Sequence, residues 1–268
     1  PDLGTMTRGG ARCPWTGETI DGDYIKAEAQ SGRMGQVLYA VAVKKRGGFE
    51  FRAPVLKDAQ GAKHAKTDLA HYRAGWEVRG LVPTEAFPAG NDNRPIMYGM
   101  PNWADFFAPR QLLSLGIYLE ALKELESEIK KDTPDQYVPG LLTLLAVVLD
   151  KAVNYNSILA SWHAPRGVMR SVFDRHDFSF KWTFGEFDAA ANLLPWSIEQ
   201  VADAYASIAD LIYSSQNTLF SYSGVRSVDN VRITQGSASH LPIIPDGSIH
   251  NITVDPPYYD NVQYAELA

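Results

Sequence analysis

"HNITVDPPYYDNVQYAEL", His250–Leu267, sets an acid and two prolines directly after an apolar run, with an aromatic behind them. The run "IHNITVDPPY" at Ile249–Tyr258 has strand-type composition, and "PDGS" at Pro245–Ser248 is the turn before it. Proline lacks an N–H and halts a ladder, so a strand end accounts for Pro256 and Pro257. It does not account for Asp255 or Tyr258. At average residue usage, Asp-Pro-Pro-Tyr arises by chance in roughly one chain of this size per thousand. Allowing Asn or Ser first and Phe or Trp last raises that to about one per hundred.

The pattern suits methyl transfer to an exocyclic base amine. That nitrogen is a poor nucleophile, because its lone pair is delocalised into the ring. Hydrogen bonds from its two N–H groups to a carboxylate and a carbonyl pull it toward tetrahedral geometry and stabilise the charge that develops. Asp255 offers the carboxylate, Pro256 a rigidly held carbonyl, and Tyr258 a flat face for a base flipped out of a duplex. The carboxyl end of a strand is where α/β folds keep such sites.

Asp255-Pro256-Pro257-Tyr258 resembles the catalytic motif of the S-adenosylmethionine-dependent amino-methyltransferases acting on adenine N6 or cytosine N4. The longer "VDPPYYDNVQYAEL" resembles one branch, the large multidomain prokaryotic adenine-specific DNA methylases often found near phage-defence genes. "RCPWTGETIDGDYIKAEAQSGRMGQVLYAV", "YGMPNWADFFAPRQLLSL" and "FDRHDFSFKWTFGEF" resemble the same branch, so the likeness spans most of the chain.

The resemblance implies S-adenosyl-L-methionine as cofactor and DNA as partner, with adenine N6 as the favoured target. It implies that Asp255 and the Pro256 carbonyl hold the amine and that Tyr258 stacks on the base. Gly236-Ser237-Ala238 stands where such enzymes often carry Gly-Asp-Ala beside the cofactor's adenine, so Gly236 and Ser237 are candidate cofactor contacts. An ordinary strand-end turn is the competing reading there. No Phe-x-Gly-x-Gly-like run occurs, which implies that the glycine-rich cofactor loop lies in the remainder of a parent chain. The expected function is therefore that of part of a DNA methyltransferase, itself catalytically silent. The alternative is a DNA- or partner-binding module of a phage-defence or restriction-modification system, with an inactive methylase motif. Protein-glutamine methyltransferases share Pro-Pro-Tyr but usually place Asn where Asp255 stands, so the acid favours a nucleobase.

The 268 residues are 45% hydrophobic, enough for a real core, and the net charge of −6 argues against a wholesale polyanion binder. Cys13 is the one cysteine, which excludes an internal disulfide and makes a reducing, cytoplasmic setting the expectation. Thr16 stands where a Cys-x-x-Cys partner would fall, so no metal site is expected. The longest apolar run, Gly140–Leu149, is short of a membrane span and predicts a centrally buried helix; no membrane partner is expected. The start at Pro1, without Met or an apolar signal core, predicts a piece of something longer that carries no targeting signal.

The expected fold class is α/β, as a mixed α+β piece in three zones. Residues 1–101 are β-rich, with strands at 23–29, 36–45 and 47–54, a polar helix at 58–75 and an extended connector over 80–101. Residues 102–220 are helical and a possible target-recognition segment, with helices from Pro109, from Pro139, and from Ser197, whose pairing with Gln200 reads as a capping box. Residues 221–268 form part of a Rossmann-like methyltransferase sheet, with parallel strands at 230–238 and 249–258.

Other groups invite two readings each. Arg166, Arg170, Arg175 and Lys181 lie among aromatics, either tracking a nucleic-acid strand or pairing with Asp174 and Asp177. Lys44-Lys45-Arg46 at a hairpin tip either touches phosphate or is solvated. Arg110-Gln111 at a helix start either reads a base edge or faces water. Tyr259, Asp260 and Asn261 either line a base pocket or form a plain loop, and His163, His176 and His240 lack ligand or triad spacing.

Overall fold

A computed structural model describes residues 4–7, 9–90, 92–174, 181–213, 232–256 and 258. The architecture is mixed α+β, with small antiparallel sheets around a helical body. Strands β1 (Met6–Thr7), β2 (Gly10–Arg12) and β3 (Thr19–Asp21) form a three-stranded sheet. Helix α1 (Gly22–Gln30) follows at once. Strands β4 (Val41–Lys45) and β5 (Gly48–Arg52) make a hairpin, and the long helix α2 (Leu56–Val78) follows it. After the short α3 (Arg94–Met97) come α4 (Pro109–Asp132) and α5 (Val138–Tyr155). A second hairpin, β6 (Ser161–His163) and β7 (Val168–Arg170), precedes α6 (Leu194–Tyr213).

Three expectations fail for local physical reasons. Residues 23–29 are helical, because the Asp21 carboxylate accepts from the amides of Asp23 and Tyr24 and caps α1. An Asp23–Lys26 pair then bridges the first turn. Ser197 does not open α6. Asp188 starts that segment earlier, its carboxylate accepting from the Ala191 amide above a π-helical turn at Ala189–Leu193. Ser197 instead lies inside the helix, its hydroxyl buried without a hydrogen-bond partner among the described residues. The stretch over 80–101 is no mere connector, since Leu81, Val82, Phe87 and Met100 are all core. Phe87 donates to the Pro101 carbonyl and Ala104 to that of Pro83, at 2.7 and 2.8 Å, folding the segment back on itself.

The helices from 109 and 138 lie where periodicity puts them, but α5 is less enclosed than its composition implies. Only Val138, Val148 and Ala152 of α5 are fully buried. By length and apolarity alone α5 would suffice to cross a membrane. Here it packs between α4 and α6, and Lys151 stands over the Tyr155 and Trp196 rings, 5.2 and 4.7 Å from their centroids.

The expected Rossmann-like sheet does not form among the described residues. From 232 to 256 the backbone is turns and unpaired extended chain, apart from one bridge between Ser237 and His240. The turn at Pro245–Ser248 is present, with Gly247 at φ +70°. A strand needs a neighbour to satisfy its N–H and C=O groups, and no described segment lies beside 249–254.

The tightest packing joins α2 to α4. Trp76 is wholly buried in a cluster with Leu69, Leu81, Val82, Ala104 and Leu112. Its ring lies flat against Gly116, where any Cβ would overlap it. Burying an indole of this size is worth about 5 kcal/mol as an upper bound. Gly116→Ala therefore destabilises the protein by about 1–3 kcal/mol through overpacking, and Trp76→Ala by about 3–5 kcal/mol through the cavity left behind. Urea unfolding followed by circular dichroism measures both; a Gly116→Ala midpoint equal to wild type would contradict the packing.

Candidate functional site

The Asp255 motif lies open. Asp255, Pro256 and Tyr258 are all solvent-exposed, Tyr258 at 61%. Among the described residues Asp255 enters no ion pair. Pro257, Tyr259, Asp260 and Asn261 lie outside the described residues. The segment leading to the motif exposes what a sheet would cover: Ile252 and Val254, two residues apart and so on one face of an extended chain, are 77% and 71% exposed.

Gly236 and Ser237 sit in an exposed turn. The Ser237 carbonyl accepts from His240 N at 3.0 Å, and its hydroxyl lies 2.9 Å from that of Ser239. The carbonyl and the hydroxyl of Ser237 thus already serve the turn. No described element holds Gly236 and Ser237 together with Asp255.

Arg110 and Gln111 are structural, for a reason composition does not reveal. Arg110 makes two 2.8 Å bonds to the Glu186 carboxylate. Gln111 is neither a base reader nor solvated; it is buried at 1% exposure. Its Oε1 accepts from Ala108 N at 2.8 Å, closing the first turn of α4. Its amide faces Asn156 Oδ1 at 3.5 Å, and that same oxygen accepts from Phe187 N at 3.1 Å. The start of α4, the end of α5 and the approach to α6 are tied by this one buried polar knot.

A cavity of about 410 Å³ opens beside the N-terminus of α1, lined in part by Asp21, Asp23, Lys26, Tyr98 and Trp182. Its polar side chains are engaged internally, Asp21 as the helix cap and Lys26 with Asp23. Sequence reading missed it because 23–29 alternates like a strand, which hides Asp21 as a helix cap. Cys13 sits in the neighbouring turn, where Gly17 donates to its carbonyl, and hydrogen bonding from Thr16 lowers the thiol pKa. No group of three or more His, Cys, Asp or Glu suited to a metal occurs among the described residues.

The fold does bring together two motifs that are far apart in sequence. The hairpin tip holding Lys44-Lys45-Arg46 belongs to β4–β5, whose Phe49 and Phe51 meet Trp162 of β6 edge-to-face at 5.1 and 5.5 Å. Arg170 pairs with Asp174 at 2.9 Å, as the structural alternative for that segment holds; Arg175 and Asp177 lie outside the described residues. Below β5, Arg52 forms a two-bond pair with Asp58, and Asp58 also accepts from Val55 N, tying the hairpin to the first turn of α2.

Two outcomes follow. Gln111→Ala strands the Ala108 amide and costs about 1–3 kcal/mol of stability, read by urea unfolding; a midpoint equal to wild type would contradict the buried knot. The Arg52 guanidinium, then the Val55 amide, hold the Asp58 carboxyl down at about 2. Because the folded value lies below the unfolded one, the tether is fully present above about pH 4 and is lost as pH falls through about 2. Side-chain carboxyl NMR titration checks this, and a midpoint near the ordinary 3.8 would contradict it. No family model, no curated protein and no solved structure matches this chain.

Proposed function

We propose that the chain carries the target-amine end of an S-adenosylmethionine-dependent DNA methyltransferase, acting on an exocyclic base amine and most readily on adenine N6. The observation that carries this reading is the coincidence of Asp255, Pro256 and Tyr258 in four residues, with both the carboxylate and the phenol ring accessible. In the proposed reaction the two amine N–H groups would donate hydrogen bonds to the Asp255 carboxylate and the Pro256 carbonyl. S-adenosylmethionine would supply the methyl group, and the proton that the methylated nitrogen loses would pass to water. Tyr258 stacks on the flipped base.

The exposed Ile252 and Val254 support a further element of the proposal. Their segment is a strand in waiting, and it completes a Rossmann-like sheet with strands from the part of the protein that carries the glycine-rich cofactor loop. Such a loop is missing from these 268 residues. That same gap favours the second reading, a DNA- or partner-binding module with an inactive motif.

Asp255→Ala in the intact parent protein separates the two. Host DNA is digested to nucleosides and methylated bases are quantified by mass spectrometry. The methyltransferase reading expects N6-methyladenine with wild type and a loss of at least about a hundredfold in the variant. Equal modification by both proteins, or none by either, contradicts it. The 268-residue chain alone is expected to be silent, and measurable methylation by it would overturn the split cofactor site.

A further inference from the structure

We propose that the face shared by the β4–β5 and β6–β7 hairpins is a docking surface for single-stranded DNA. Cross-strand register pairs Lys44 with Phe49 and Ala42 with Phe51, so these four side chains share one face of the first hairpin. Both phenylalanines lean on Trp162 yet are 42% and 54% exposed, so each is braced on one side and open on another. Rings held this way lose little freedom when a base stacks on them. Two residues along a strand span about 7 Å. That is twice the 3.4 Å rise of a nucleotide in a duplex, which suits bases unstacked along an extended strand. A closed duplex hides the base faces that such rings need.

Charge complements the rings. Lys45 pairs with Glu50, Arg52 with Asp58 and Arg170 with Asp174, so the nearby described acids are already engaged. Lys44, Arg46 and Arg166 are exposed and have no ion-pair partner among the described residues. Arg166 is next in sequence to Gly167, at φ +61°, which lies beside the Phe49 ring. A protein of net charge −6 thus keeps cations without described counter-charges around open aromatic rings. Together they offer three phosphate contacts flanking a stacking platform. The choice of DNA over RNA rests on the functional proposal above; the stacking and the charge do not.

Fluorescence anisotropy of labelled mixed-sequence oligonucleotides, between about 50 and 200 mM salt, tests this on the whole chain. Single-stranded DNA is expected to bind at least tenfold more tightly than the duplex or the matching RNA. The triple variant Lys44→Glu, Arg46→Glu, Arg166→Glu alters only exposed side chains. It should weaken binding at least tenfold and flatten the log–log salt slope by about 2. Phe51→Ala should weaken binding by roughly tenfold with the slope unchanged. Wild-type affinity in the triple variant, with circular dichroism unchanged, would overturn the proposal. So would a preference for RNA or duplex. Hairpin-dependent binding in a parent that methylates nothing would sink only the methyltransferase reading.

Discussion

Trp76 against Gly116 is the contact on which the rest of the arrangement leans. A Cβ at position 116 would overlap the indole, so this close approach of Trp76 to α4 requires a glycine there. The contact fixes α2 along α4 and draws Leu81, Val82 and Ala104 into the same cluster. At its other end α2 is tied through Asp58 to Arg52, and so to the β4–β5 hairpin. A core contact made for packing reasons thereby sets the position of Phe49 and Phe51 against Trp162.

A second constraint works close by, in the first turn of α4. Gln111 and Asn156 are polar, buried and mutually engaged, and their partners include the Ala108 and Phe187 amides. Buried polar groups left unmatched are costly, so such a knot admits few alternative packings. It orients α5 and the approach to α6 together. The second hairpin leaves α5 only a few residues later, so its place opposite the first hairpin is set from this side too.

The long helices and the β4–β5 hairpin were legible in the sequence because their signals are local. Pro109 in a first turn, leucines at three- and four-residue spacing, and Gly47-Gly48 between alternating runs each carry their own geometry. What escaped depends on partners distant in sequence or on competing caps. "DYIKAEA" alternates like a strand until the Asp21 carboxylate is seen taking two amides. Ser197 and Gln200 spell a capping box, but Asp188 had already started the helix. Gln111 looks like a surface residue until Asn156 arrives from another helix. Of the candidate site, Asp255 and Tyr258 come from the sequence pattern alone, and the structure adds that both are exposed. The pairing of the Lys44–Arg46 tip with the Trp162 hairpin was not legible there, since no periodicity links residues so far apart. The described residues of 232–256 form no sheet, since alternation specifies a face and not the neighbour that covers it.

Under the proposals above, this chain handles DNA through two surfaces, a stacking face on the paired hairpins and a base-holding motif at Asp255–Tyr258. Photocrosslinking with single-stranded DNA carrying 5-iododeoxyuridine, followed by peptide mass spectrometry, tests it most directly. Crosslinks at Phe49, Phe51 or Trp162, with a second set at Tyr258, are the expected result. Crosslinks confined to the outer faces of α4, α5 and α6, or absent altogether at saturating DNA, would contradict it.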